Sequence, residues 1–220
     1  MGTVNPAVPA RAAHRAVLVV TVGLAATLAW FVAQKLHYLD DISQASYTDY
    51  FWPRRAGLLA HLCGGLVASV CGLIQIWLGL THRVGRLHRT LGKAYAAGVL
   101  VGSIGGFYLS ITITGQLAYS AGLFMLDVAW LTTTGMALYA IHLRQIEQHR
   151  DWMLRAYTVT FAFVTFRLLD PWLHRWFRVP EAASADDLDK IMAWACWAVP
   201  LLVAEVLIQL RALNRRRRTA

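Results

Sequence analysis

The sequence predicts an all-α, polytopic membrane protein: six transmembrane helices in a bundle, with both termini cytoplasmic. Three observations carry this. Of the 220 residues, 57% are apolar, against about 45–50% in soluble domains. Charge is missing from long runs: 16–34 and 56–82 have none, 94–143 has only Asp127, and 191–210 has only Glu205. A helix crosses a bilayer with about 20 such residues. The basic residues also fall unevenly between the two sets of loops. Fourteen lie at Arg11, Arg15, Arg83, Arg86, Arg89, Lys93, Arg144, Arg150, Arg155, Arg211 and Arg215 to Arg218, and seven at Lys35, Arg54, Arg55, Arg167, Arg175, Arg178 and Lys190. Loops that stay in the cytoplasm keep the excess of Lys and Arg, so the first set is expected inside.

The elements follow in order. Residues 1–15 are a basic tail. The first span, 16–34, has few small or polar residues and is expected to face lipid; it is longer than the apolar core of a signal peptide. The loop 35–55 holds Asp40, Asp41 and Asp49 with Tyr47, Tyr50, Phe51 and Trp52, a composition suited to a short helix on the outer surface. In the second span, 56–80, His61, Gly65, Ala68, Gly72, Gln75 and Gly79 recur every three or four residues and share one helical face. That face is small enough for another backbone to approach, or for a flat cofactor.

The segment 80–95 reads as a basic cytoplasmic loop with His82 and His88. It leads into the third span, 94–114, whose row of Gly98, Gly102 and Gly106 implies close helix packing. Thr114 to Gln116 and Ser120 to Gly122 fold the long apolar run in half, so the fourth span is 119–143. Asp127 lies near its middle. Arg167, in the weaker fifth span 152–172, is the expected cross-helix partner, because an unpaired charge in hydrocarbon is costly. A proton relay is the alternative. The loop 171–190 includes an acidic patch at Glu181, Asp186, Asp187 and Asp189. Ser184 to Asp187 begins the sixth span, 190–211, where Glu205 is placed to meet Arg155 or Lys93. Residues 213–220 form an Arg-rich tail that anionic lipid at the cytoplasmic face attracts. Cys63, Cys71 and Cys196 have no CxxC spacing and read as buried thiols.

One pattern occurs twice. His88-Arg89 leads through Gly92 to Lys93-Ala94-Tyr95, and His149-Arg150 leads through Met153 to Arg155-Ala156-Tyr157. Each string starts a span at the cytoplasmic side. His88 and His149 are therefore expected to face each other and to ligate one centre, haem b, with Arg89, Arg150, Lys93 and Arg155 available to its propionates and Tyr95 and Tyr157 nearby. His61 is a further candidate ligand at the other end. The alternative for this basic interface is a lipid phosphate.

The string His149-Arg150-Asp151-Trp152-Met153-Leu154-Arg155-Ala156-Tyr157, with His61 to Gln75, His88-Arg89, Gly92, Tyr95, Trp130 and Arg167, resembles a bacterial membrane-protein family of unknown function, domain of unknown function 2306. The resemblance covers about 55–175. It implies a multi-span helical bundle in the bacterial cytoplasmic (inner) membrane. A looser similarity is to six-helix transmembrane b-type cytochromes. In that family histidines on four central helices hold two haems; here His61 faces no histidine in the fourth span, only Met125. Haem- or metal-binding electron transfer is thus one functional expectation. A non-enzymatic accessory or assembly subunit, with a membrane-protein partner or as a homo-oligomer, is another, and a small transporter a third. No nucleophile and base at readable spacing, no phosphate loop and no HExxH motif occur, and the basic balance implies lipid rather than nucleic acid.

Overall fold

The structure, a computed structural model, describes residues 10–35, 37–81, 83–113, 116–177 and 185–219. The first part of the basic tail, His82, the centre of the turn at 114–115, and Glu181 and Ser184 of the acidic loop lie outside the described residues. The described residues are helical throughout: α1 (Ala10–Ala33), α2 (His37–Asp40), α3 (Gln44–Phe51), a 3-10 turn (Trp52–Arg54), α4 (Arg55–Leu80), α5 (Arg86–Thr112), α6 (Leu117–His142), α7 (Ile146–Thr160), α8 (Ala162–Phe177) and α9 (Ala185–Thr219). Four stretches, 44–80, 86–112, 117–142 and 187–217, are long and apolar enough to cross a membrane.

Several boundaries differ from expectation. The basic segment is mostly helix: α5 begins at Arg86, so His88 sits in its first turn and the connecting loop is short. The segment expected as the fifth span is two helices that break at Phe161. The sixth is one long helix through Pro200. The expected surface helix of the 35–55 loop is present as α2 and α3, where Ser43 caps α3 by accepting from the Ser46 amide.

The tightest packing is between α4 and α5. A Cβ added at Gly64 would fall on the backbone of Gly98 and Gly102, and one at Gly98 would lie 2.9 Å from the Ala68 nitrogen. The glycine row thus brings backbone onto backbone, the arrangement small residues permit. Gly72 leaves room for the Tyr157 ring. Around this seam a core of Ala68, Tyr95, Val99, Leu126, Trp130, Tyr157, Met192 and Cys196 is buried. The outward faces carry exposed Leu100, Ile104 and Ile111 on α5 and Val199, Leu202 and Val203 on α9. Such a continuous apolar exterior belongs against lipid.

The helices sort their charges to two ends. At one end Arg215 pairs with Glu147 at 2.6 Å, and Gln75 reaches the His88 carbonyl at 3.0 Å, so the α4–α5 loop, the α6–α7 loop and the end of α9 lie together. At the other, Arg54 bonds the Thr112 carbonyl at 2.9 Å, and Trp194 bonds the Ala118 carbonyl at 3.0 Å.

Candidate functional site

At the Arg54 end a cavity of about 400 Å³ opens between α1, α4, α5, α6 and the α7–α8 pair, roofed by residues of α2 and α3. That volume lies within the range of about 300–1,000 Å³ typical of small-molecule sites. Most of the wall is apolar: Leu28, Phe31, Leu62, Leu66, Leu123 and Phe163 are among its residues. Polar groups occupy two levels.

The mouth carries Lys35, Arg54 and Arg167. Arg54 is tied down, bonding the Thr112 hydroxyl and carbonyl and the Tyr50 carbonyl, with its guanidinium over the Tyr50 ring at 4.6 Å. Lys35 and Arg167 have no acid against them among the described residues. Burial and the neighbouring Arg167 guanidinium together hold the Lys35 amine below the ordinary lysine range, since both disfavour its charged form.

Deeper lie His61 and Asp127. The His61 Nδ1 is 2.9 Å from the Gly102 carbonyl. A carbonyl only accepts, so Nδ1 carries the proton, and in the neutral ring Nε2 is left as an acceptor. Asp127 is 3% exposed, and what remains open of it lines the cavity. Its carboxylate rests where a Cβ at position 106 would be, so Gly106 makes its room. Asp127 and Arg167 share this cavity wall. Among the described residues no ion pair joins them, whereas Arg155 pairs with Glu205, Lys190 with Asp187 and Arg215 with Glu147. The expected partnership is replaced by a shared place on the cavity wall.

At the opposite end, the repeated strings meet. His88 and His149 are near enough for their charges to interact, and two helical turns further in, the rings of Tyr95 and Tyr157 stack at 6.4 Å. Tyr95 shares a hydrogen bond with the Thr160 hydroxyl at 2.9 Å, and Tyr157 donates to the Ser69 carbonyl at 2.8 Å. The His149 Nδ1 lies 2.9 Å from the Ala137 carbonyl, while the His88 Nδ1 is buried without a partner.

The two histidines are brought together, and one buried nitrogen is free. The space beside Gly92, expected as the slot for a macrocycle, is filled: the Gln75 amide lies 2.9 Å from where a Gly92 Cβ would be. Arg155 is engaged with Glu205 at 2.7 Å across to α9 and stacks over Trp152 at 4.6 Å, so it is not free for a propionate. Arg89 and Arg150 are exposed. His61, about 20 Å along α4 from the level of Gln75 at the helical rise, does not join the pair. Among the described residues no three His, Cys, Asp or Glu side chains converge. As arranged, the site does not fit a macrocycle.

Sequence reasoning placed His61 on a packed face and paired Asp127 with Arg167, and missed that all three share a cavity with Lys35, Arg54 and Tyr119. The signal available for Lys35 was its place as the first charge after an apolar run. No curated protein and no solved structure matches the chain. A family model described as "Predicted membrane protein (DUF2306)" matches residues 58–208, from the wall of the cavity on α4 to the Glu205 tie on α9. The chain belongs to this family of membrane proteins.

Proposed function

We propose that this protein is a bilayer-embedded binding protein for a single-chain amphiphile with an anionic head. The observation that carries the reading is Lys35 and Arg167 bordering an apolar cavity, neither in an ion pair among the described residues. Two like charges beside an apolar wall repel each other, and an anion between them relieves that repulsion and completes their hydrogen bonds. A carboxylate or phosphate fits the mouth, and an alkyl chain fits the walls behind it. Among the functional classes expected from sequence, this lies nearest to a small transporter or an accessory component that handles a lipid-derived molecule.

The reading goes with six spans in a bacterial cytoplasmic membrane, α1 and the α7–α8 pair joining the four long apolar helices, and with the basic loops and both termini on the cytoplasmic side. The cavity mouth then opens near the opposite surface. The test is binding of radiolabelled octadecanoate to purified protein in mild detergent. Octadecanol should compete weakly, and octadecyl phosphate as well as the fatty acid. Lys35→Gln and Arg167→Gln should each weaken octadecanoate binding about tenfold, the worth of one charge-assisted hydrogen bond. Equal competition by the alcohol, or unchanged affinity in both variants, would sink the reading.

A second reading rests on the partnerless His88 Nδ1, with His149 near enough for their charges to interact. The pair offers two nitrogens to a metal ion, to haem b if Gln75 moves aside, or to a lipid phosphate. A Soret band in purified protein that is lost in both His88→Ala and His149→Ala would favour haem. A colourless protein free of metal by elemental analysis would leave the phosphate contact.

A further inference from the structure

The cavity has a polar floor as well as a charged mouth. Asp127 lies about 15 Å along α6 from its first residue at the helical rise. Its carboxyl group has no hydrogen bond or ion pair from the described residues, whereas Trp130 and Thr160 of the cavity wall are bonded. Trp130 donates to the Thr160 hydroxyl at 2.9 Å, and that hydroxyl in turn bonds the Ala156 carbonyl at 2.9 Å. His61 has spent its proton on Gly102. Both open positions on the floor, a carboxyl oxygen and an imidazole Nε2, therefore accept. Buried polar groups at membrane depth are costly when left unmatched, and no described residue makes a hydrogen bond to the Asp127 carboxyl group or to the His61 Nε2.

We propose that Asp127 and His61 form a second recognition point, for a hydroxyl group carried along the chain of the bound amphiphile. This rests on the amphiphile reading and adds to it that the ligand is polar at both ends of the cavity. A hydroxyl suits the floor better than an amine. An ammonium would have to be stripped of water beside Asp127, and burying an ion pair recovers that cost only with good geometry and further hydrogen bonds. A hydroxyl loses less on leaving water and can donate to either acceptor.

The experiment displaces radiolabelled octadecanoate from purified protein with octadecanoate itself and with octadecanoates hydroxylated beside the carboxyl group, at mid-chain and at the far end. The native protein should prefer one of the two deeper positions about tenfold, with no gain for a hydroxyl next to the head. Asp127→Leu should abolish that preference and not lower the melting temperature in detergent. His61→Leu gives the same readout should Asp127→Leu fail to fold. Equal affinity for all the hydroxylated acids and the plain acid in the native protein overturns the inference, as does a preference that survives either substitution. Octadecanoate failing to bind at all would instead overturn the amphiphile reading beneath it.

Discussion

Gly64 and Gly65 are neighbours in sequence with opposite duties. A methyl group at Gly64 has the α5 backbone in its place, whereas at Gly65 nothing lies within 4 Å because the residue borders the cavity. Gly64→Ala must therefore push two backbones apart and is expected to cost about 1–3 kcal/mol, as overpacking does. Gly65→Ala should leave stability nearly unchanged and slightly shrink the cavity. Melting of both variants in the same detergent checks this; equal losses would mean that α4 and α5 do not meet as described. The row at Gly98, Gly102 and Gly106 was legible from spacing alone, because three-and-four periodicity of small residues has few other uses. Which glycine of the Gly64-Gly65 pair touches α5 was not legible. One step along a helix turns the side chain by roughly 100°, and the sequence periodicity selected Gly65 for the packed face.

At the scale of elements, α7 and α9 are joined near the His88 end by Arg155 and Glu205, with Gln209 donating to the second carboxylate oxygen at 2.7 Å. The Arg155 side chain is 14% exposed and that of Glu205 39%. Breaking a fully buried pair costs about 3–5 kcal/mol; the exposure of Glu205 brings the expected loss for Arg155→Met below that. Glu205→Gln should cost less than Arg155→Met, and the double variant less than the sum of the two. Strict additivity in detergent melts would show that the two groups do not interact. This pair was half readable from sequence: Glu205 is an isolated charge in its run, at a depth where Arg155 or Lys93 could meet it. Asp127 and Arg167 look alike by that rule and are not joined among the described residues. The difference is the cavity, and a void leaves no mark in sequence when its wall is drawn a few residues at a time from many helices. The repeated His-Arg strings were better guides: His88 with His149 and Tyr95 with Tyr157 are brought together. The Gln75 side chain that occupies the Gly92 slot comes from a third helix, beyond the reach of either string.

At the scale of the whole molecule, the ends of the bundle differ in charge in a way that orients it. Exposed Arg83, Arg86, Arg89, Lys93, Arg144, Arg150, Arg211 and Arg215 to Arg217 gather at the end where Arg215 meets Glu147. At the other end Arg54 is bonded to Thr112 and Tyr50, and Lys35 and Arg167 border the cavity. The positive-inside asymmetry acts through basic residues in short loops, with acids contributing little, so the Arg215 end is expected in the cytoplasm and the cavity mouth near the opposite surface. Cysteines placed one at a time at Ala45 on α3 and Asn214 on α9, in a protein whose three native cysteines are replaced, test this directly. Both positions are exposed. In intact cells an impermeant thiol reagent should label Ala45→Cys and should reach Asn214→Cys only after the membrane is opened. Labelling of both from outside would give the chain an even number of crossings between them, and would remove the argument that the anion-binding mouth faces away from the cytoplasm.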